Sequence, residues 1–188
     1  MAKIILGFTG LMCCGKGTIN VYLSSHYGAA TYRYSTMIRD VLDRLYLPHS
    51  RDNMSHLSTL LRQEFGEDLM AKVMARDVTK AAESLIAIDG IRRPMDVSSL
   101  RELPEFKLVA INAAEEVRYQ RLINRGENPD DKTKTREQFR ADHLLETEAS
   151  IPGAMAEADF QLDNNGALEQ LYQQLDDLLK KLGYEGKI

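Results

Sequence analysis

A chain of 188 residues with 44 % hydrophobic and 28 % charged side chains is long enough to bury one α/β core and too balanced in composition for intrinsic disorder. Its formal net charge of -4 excludes the broad cationic surface on which non-specific binding to duplex nucleic acid depends, so anionic ligands must be met by local clusters such as Arg92-Arg93 and Arg118, Arg121 and Arg125. The opening apolar stretch falls far short of the ~18 residues of a membrane span, and Cys13 and Cys14 are adjacent, with Cα atoms about 3.8 Å apart, closer than disulfides usually allow. No membrane contact, no structural bridge and a cytoplasmic setting are expected.

In chain order, Lys3 to Thr9 reads as a buried strand that breaks at Gly10. Thr18 to Tyr27 reads as a helix and Ala29 to Tyr34 as a second strand. From Ser35, Ile38, Val41, Leu42 and Leu45 fall on one helical face, and Pro48 ends that helix. Leu57 to Phe65 and Met70 to Ala81 supply two more amphipathic helices. Leu85 to Asp89 and Lys107 to Asn112 are short apolar strands, with a helix expected between them from Pro94 to about Leu103. Ala114 to Arg125 is helical, Gly126 to Thr135 is a polar loop, Phe160 to Leu162 is a weak last strand, and the leucines from Leu168 to Leu182 line a final helix stopped by Gly183. No repeat, low-complexity tract or linker interrupts the chain, so a single domain over 1–188 is expected. Strands alternating with helices imply a three-layer α/β/α fold with a five-stranded parallel sheet, whose ligands gather beyond the carboxyl ends of the strands.

Those ends carry the chemistry. Gly10-Leu11-Met12-Cys13-Cys14-Gly15-Lys16-Gly17-Thr18 joins a strand to a helix and has the composition of a phosphate cradle. Glycines at 10, 15 and 17 let successive backbone N–H groups turn inward, the helix directs its positive end at the phosphates, and Lys16 adds a full charge. Thr18 offers a hydroxyl to Mg²⁺, with water in that place as the alternative. Cys13 and Cys14 read as small hydrophobes beside the nucleotide, with redox sensitivity as the lesser reading.

The Gly15-Lys16-Gly17-Thr18 form resembles the loop of the nucleoside monophosphate kinase family, in its adenylate- and cytidylate-kinase-like members, and the ordered motifs extend the resemblance over nearly the whole chain. The resemblance implies ATP and Mg²⁺ as cofactors, a small-molecule phosphate acceptor, helices over 35–84 that bind it, a lid over 126–137, and a monomer or weak homodimer. Ser35-Thr36-Met37-Ile38-Arg39 is similar to the family's acceptor-gripping element, with Met37 at its acidic position. Ser35 and Arg39 carry over, since a guanidinium fork holds two phosphate oxygens. Asp89-Gly90-Ile91-Arg92-Arg93-Pro94 resembles the family's Asp-Gly-x-x-Arg segment, which gives Asp89 a Mg²⁺ role through water and Arg92 or Arg93 a phosphate; the plainer reading of Asp89 is a helix cap before Pro94.

The arginines of 115–125 resemble the helix that leads into the kinase lid. Arg118 is implied to stack on adenine, and Arg125, Arg136 and Arg140 to close over phosphate; a solvated basic face is the alternative. The segment from Ala158 to Gly166, with Asn165, is similar to the adenine-cupping stretch of dephospho-coenzyme A kinase. A nucleoside monophosphate kinase leads. Dephospho-coenzyme A kinase or another small-molecule kinase comes second, and a P-loop regulatory or assembly ATPase third. Lys16, Arg39, Asp89 and Arg125 are the implied catalytic set.

Overall fold

The computed structural model describes residues 3–125, 131–184 and 186. Its elements follow one another as β1 (Ile4–Thr9), α1 (Lys16–Tyr27), β2 (Ala30–Arg33), α2 (Tyr34–Arg44), α3 (Arg51–Phe65), α4 (Leu69–Lys80), β3 (Leu85–Ile91), β4 (Phe106–Asn112), α5 (Glu115–Arg125), α6 (Arg136–Asp142), α7 (Glu146–Ala149), α8 (Ile151–Ala156), β5 (Phe160–Asp163) and α9 (Leu168–Lys181), with 3₁₀ turns at Pro94–Val97 and Asp131–Thr133.

The strands form one five-stranded sheet in the order β2-β3-β1-β4-β5, and every neighbouring pair runs parallel. This is the three-layer α/β/α arrangement expected from the sequence. The alternation of side chains along β1 explains why both faces must be covered. Leu6 and Phe8 point into a cluster with Ile19 and Leu23 of α1 and Leu171 and Leu175 of α9. Ile5 points the other way, into a cluster with Ile38 and Leu42 of α2 and Met74 and Val78 of α4. Truncating a fully buried aromatic such as Phe8 to alanine in a core of this kind costs about 3–5 kcal/mol.

The carboxyl ends of β1, β2 and β3 lie side by side, because β3 pairs with both of its neighbours: Arg33 stands in register with Asp89, and Thr9 with Ile91. The Thr9 hydroxyl donates to the Ile91 carbonyl at 3.0 Å. These bonds tie the start of the glycine-rich loop to the segment that follows Asp89.

The structure departs from the sequence reading in four places. Where a helix from Pro94 to Leu103 is predicted, only the 3₁₀ turn Pro94–Val97 forms. The buried Asp96 carboxylate accepts from the backbone N–H groups of Arg92 and Arg93 at 2.9 and 3.0 Å, which supports a tight turn in place of a longer helix. Asp89 is therefore no helix cap: it lies inside β3, which runs on to Ile91. Helix α2 starts at Tyr34 and stops at Arg44, because Tyr46 adopts a left-handed φ of 57° that ends it ahead of Pro48. Three short helices, α6 to α8, fill 136–156, where no element is predicted; α6 is nucleated by a capping box in which Thr135 and Gln138 each cover the other's backbone N–H. Among the described residues, no helix is long and apolar enough to cross a membrane.

Candidate functional site

The loop between β1 and α1 is shaped by backbone constraints on specific residues. Gly10 and Gly15 have φ of 152° and 112°, and a Cβ on Gly15 would stand 2.2 Å from the Asn164 amide nitrogen, so neither site accepts a side chain without disruption. Gly17 differs: a Cβ there would meet nothing within 4 Å. Its smallness is not demanded by protein packing, and the open space lies at the first turn of α1. Cys13 takes a left-handed φ of 62°. Helix α1 begins after Gly15 with no side-chain cap and no acidic residue in its first turn. Helices α3 and α6, by contrast, are capped by Ser50 and Thr135. Helices α2, α4 and α9 also start without such a cap; what sets α1 apart is that its uncapped start follows the glycine loop and carries Lys16, where an anion would complete it.

Lys16 folds back over the loop. Its Nζ donates to the Gly10 carbonyl at 2.5 Å and the Leu11 carbonyl at 3.3 Å, with Cys14 Sγ at 3.6 Å. The ammonium is thereby stored beside the loop on weak main-chain acceptors, which a phosphate oxygen outcompetes. Cys14 is buried, and burial pushes the Cys13 thiol up against the opposing pull of Arg125 and Lys16. Cys13 is therefore kept as a neutral thiol rather than a reactive thiolate.

Two side chains from the far end of the chain brace this loop. The Asn164 amide, buried at the end of β5, donates to the Cys14 carbonyl at 2.7 Å. Arg121 in turn donates to the Asn164 carbonyl at 2.9 Å and to its side-chain oxygen at 3.1 Å. The other terminal nitrogen of Arg121 is buried without a partner. The sequence reading chose Asn165 here. Instead Asn165 accepts from the Ala114 N–H at 2.7 Å and sets the entry to α5, while its neighbour Asn164 reaches the loop.

Arg118 also requires correction. It is only 4 % exposed, with Nε on the Ala113 carbonyl at 3.1 Å and one terminal nitrogen shared between the Met12 carbonyl at 3.3 Å and His143 Nε2 at 2.5 Å. Its guanidinium carbon lies 5.4 Å from the Phe139 ring centroid. Burial lowers its pKa, although a guanidinium stays charged. A side chain so enclosed offers no face to a base, and Arg118 serves to bind α5, α6 and the loop together. The periodicity that put Arg118, Arg121 and Arg125 on one helical face could not say which of them turns inward.

Arg125 pairs with the buried Asp131 at 3.3 Å. Arg136 forms two hydrogen bonds with Glu116 and lies over the Tyr119 ring, and Arg140 bonds Glu115 at 2.7 Å. Both α6 arginines thus pin α6 to α5 rather than reaching over the loop as the lid reading requires. Residues 126–130 of the expected lid lie outside the described residues. Along α5, Glu116, Val117, Gln120, Arg121, Asn124 and Arg125 line an open groove of about 530 Å³.

On the opposite flank, Asp89 pairs through Oδ2 with Arg33 Nε at 3.3 Å. Its Oδ1 is buried with no hydrogen-bond partner, a carboxylate oxygen that a hydrated magnesium or a hydroxyl would satisfy. The Thr18 side chain, at the start of α1, makes no hydrogen bond within the described residues and adds a second oxygen. Among those residues no group of three or more His, Cys, Asp or Glu forms a metal cluster, so the donor set fits a cation brought in with phosphate oxygens rather than a permanent resident. Arg92 pairs with Glu148 at 3.3 Å and Arg93 with Glu67 at 3.4 Å. Arg39 is exposed on α2, with Ser35 one turn before it. Arg33, absent from the sequence reading, joins this flank through its pairing with Asp89. Its register opposite Asp89 was the signal that a strand alignment would have given.

Comparison with known proteins agrees with this architecture. Residues 6–144 match the model of a family described as an AAA domain, AAA_18. The chain is 28 % identical over 184 residues to a UPF0200 protein of Hyperthermus butylicus, covering 98 % of this chain and 97 % of that protein. It is 28 % identical over 190 residues to a UPF0200 protein of Thermococcus sibiricus, covering 98 % of each. Among solved structures, a shikimate kinase from Bacteroides thetaiotaomicron superposes with a TM-score of 0.60 at 15 % identity, covering 96 % of this chain and 98 % of that one. A sugar kinase from Janibacter gives 0.57 at 15 % identity, covering 96 % and 95 %. At that identity the likeness is one of fold, and the fold is that of P-loop kinases.

Proposed function

Because the chain belongs to this AAA-domain family, we propose that it is an ATP-dependent phosphotransferase that moves the γ-phosphate of ATP to a nucleoside monophosphate. One observation carries the reading: an uncapped helix start behind a strained glycine loop, with Lys16 held beside it on main-chain carbonyls. In the proposed reaction the loop amides and the α1 terminus bind the phosphate tail, and Lys16 swings from the Gly10 carbonyl to the β- and γ-phosphate oxygens. The base of ATP lies along the α5 groove, without the enclosed Arg118 first expected there. Arg39, Arg92, Arg93 and Ser35 hold the acceptor in line, and Arg125 lies nearest the transferred group. Magnesium, held through Asp89 Oδ1 and Thr18, would neutralise charge on the phosphates. Little covalent work falls to the protein, since positioning and charge stabilisation supply most of the rate.

The bracing of the loop by Asn164 favours a second reading, a dephospho-coenzyme A kinase or other small-molecule kinase, since that segment is where the resemblance to that enzyme lies. An ADP-release assay with AMP, CMP, GMP, UMP and dephospho-coenzyme A separates them. Acceleration by a monophosphate supports the first reading, and acceleration by dephospho-coenzyme A alone supports the second. ADP release that no acceptor increases would leave a P-loop regulatory ATPase and overturn both.

A further inference from the structure

Arg33 ends β2 directly opposite Asp89 of β3. Its side chain is 52 % exposed while that of Asp89 is 13 % exposed, so the pair runs from the interior of the site to its surface. Contact is made through Nε, which faces Asp89 Oδ2 at 3.3 Å. Apart from Asp89, no described residue forms a hydrogen bond or ion pair with Arg33. With the contact made through Nε, the far edge of the guanidinium keeps two parallel N–H donors, one from each terminal nitrogen, for another acceptor. Among the described residues that edge has no acceptor.

Its surroundings are cationic. Arg39 is exposed further along α2, and Arg92 and Arg93 follow directly after the end of the adjacent strand β3. Arg92 and Arg93 likewise pair with carboxylates, those of Glu148 and Glu67. Gly90 has φ of 90°, and a Cβ there would face Tyr34 Cβ at 3.5 Å. The two strand ends are held side by side by their register, in which Arg33 pairs with Asp89.

We propose that Arg33, oriented by Asp89, is a specificity-determining residue that grips the anionic group of the acceptor through its two terminal nitrogens, which restricts acceptors to compounds carrying a phosphate monoester. This rests on the reading of the chain as a phosphotransferase and deepens it. Asp89 then has two tasks: Oδ2 aims Arg33, and Oδ1 stays available for the reaction centre. A monoester dianion suits the fork because two of its oxygens match the spacing of the terminal nitrogens.

The test is equilibrium titration of AMP, CMP, GMP and UMP, each alongside its nucleoside, with and without the non-hydrolysable analogue AMP-PNP and magnesium. At least one monophosphate is expected to bind ten-fold or more tightly than its nucleoside. In Arg33→Met that advantage is expected to fall about ten-fold or more, with part of it restored in Arg33→Lys and AMP-PNP affinity unchanged. Monophosphates that bind no better than nucleosides, or that bind Arg33→Met as they bind the parent chain, would overturn the inference while leaving AMP-PNP binding, and the phosphotransferase reading, intact. Failure to bind AMP-PNP at all would instead sink that reading, and this inference with it. Circular dichroism and thermal melting of Arg33→Met confirm that the variant is folded, and Arg33→Gln serves as the replacement if it is not.

Discussion

The two flanks of the strand ends are built differently. On the nucleotide side, buried groups meet fixed partners: Asn164 holds Cys14, Arg118 holds Met12, and Gly15 has no room for a methyl group. On the acceptor side, helix α3 buries no residue fully, and Leu45, Tyr46 and Phe65 are 56 %, 87 % and 66 % exposed. Arg33 and Arg92 there pair with Asp89 and Glu148. The contrast shows how stability and function divide between the flanks. In the proposed reaction a phosphate tail is common to every cycle, which suits a cradle formed in advance, whereas the acceptor side sets exposed arginines and the little-buried α3 beside the packed faces of α2 and α4.

Substitutions sharpen that contrast, beginning with the largest effect. Lys16→Ala is expected to lower ADP release by about 10³-fold or more while moving the melting temperature little, because its contacts in the free chain are main-chain bonds each worth only about 1 kcal/mol. A folded variant that turns over normally would break the assignment. Arg118→Ala should behave in the opposite manner. Leaving the Met12 carbonyl and His143 without their donor is expected to cost about 2–4 kcal/mol in urea unfolding, and a change within 0.5 kcal/mol would show that the nucleotide flank is less braced than its geometry implies. Arg39→Ala is expected to raise the acceptor KM by about 10- to 100-fold with no change in melting temperature; a loss confined to ATP affinity would reverse the division of the site.

The smallest effect concerns the surface pins of α6. The Arg136 hydrogen bond, with help from Gln120, holds the Glu116 carboxyl down at about 2, against about 4.3 for an unperturbed glutamate. Since the folded value is depressed, the pairing contributes fully above the unfolded value and fades as pH falls from about 4.3 towards 2. Carbon NMR of the Glu116 carboxyl should show that low midpoint, and Arg136→Gln should return it to the ordinary range. Arg140 lowers the Glu115 carboxyl in the same way.

Most of the fold was legible because its signals are local and strong. The apolar runs at 85–89 and 107–112 became β3 and β4 nearly as predicted, and the leucine stripe of 168–182 became α9. Failures arose where tertiary contacts outweigh pattern. Asp96 holds a tight turn at Pro94, and the capping box at Thr135 is a real signal in a segment whose polarity reads as loop. The glycine loop was visible by composition alone. Which arginine of α5 faces inward was not, since helical spacing places Arg118, Arg121 and Arg125 alike, and only Phe139 and His143 from α6 decide that Arg118 is enclosed. Arg33 escaped because its meaning depends on strand register with Asp89, a relation between distant segments.

The bond from Asn164 to Cys14 joins residues 150 positions apart. A ribosome that has delivered β1, α1 and β2 has therefore not yet delivered the brace of the proposed nucleotide site. Chains cut short before β5 should consequently be unable to use ATP as a ligand that rescues their folding, however complete their glycine loop is on paper.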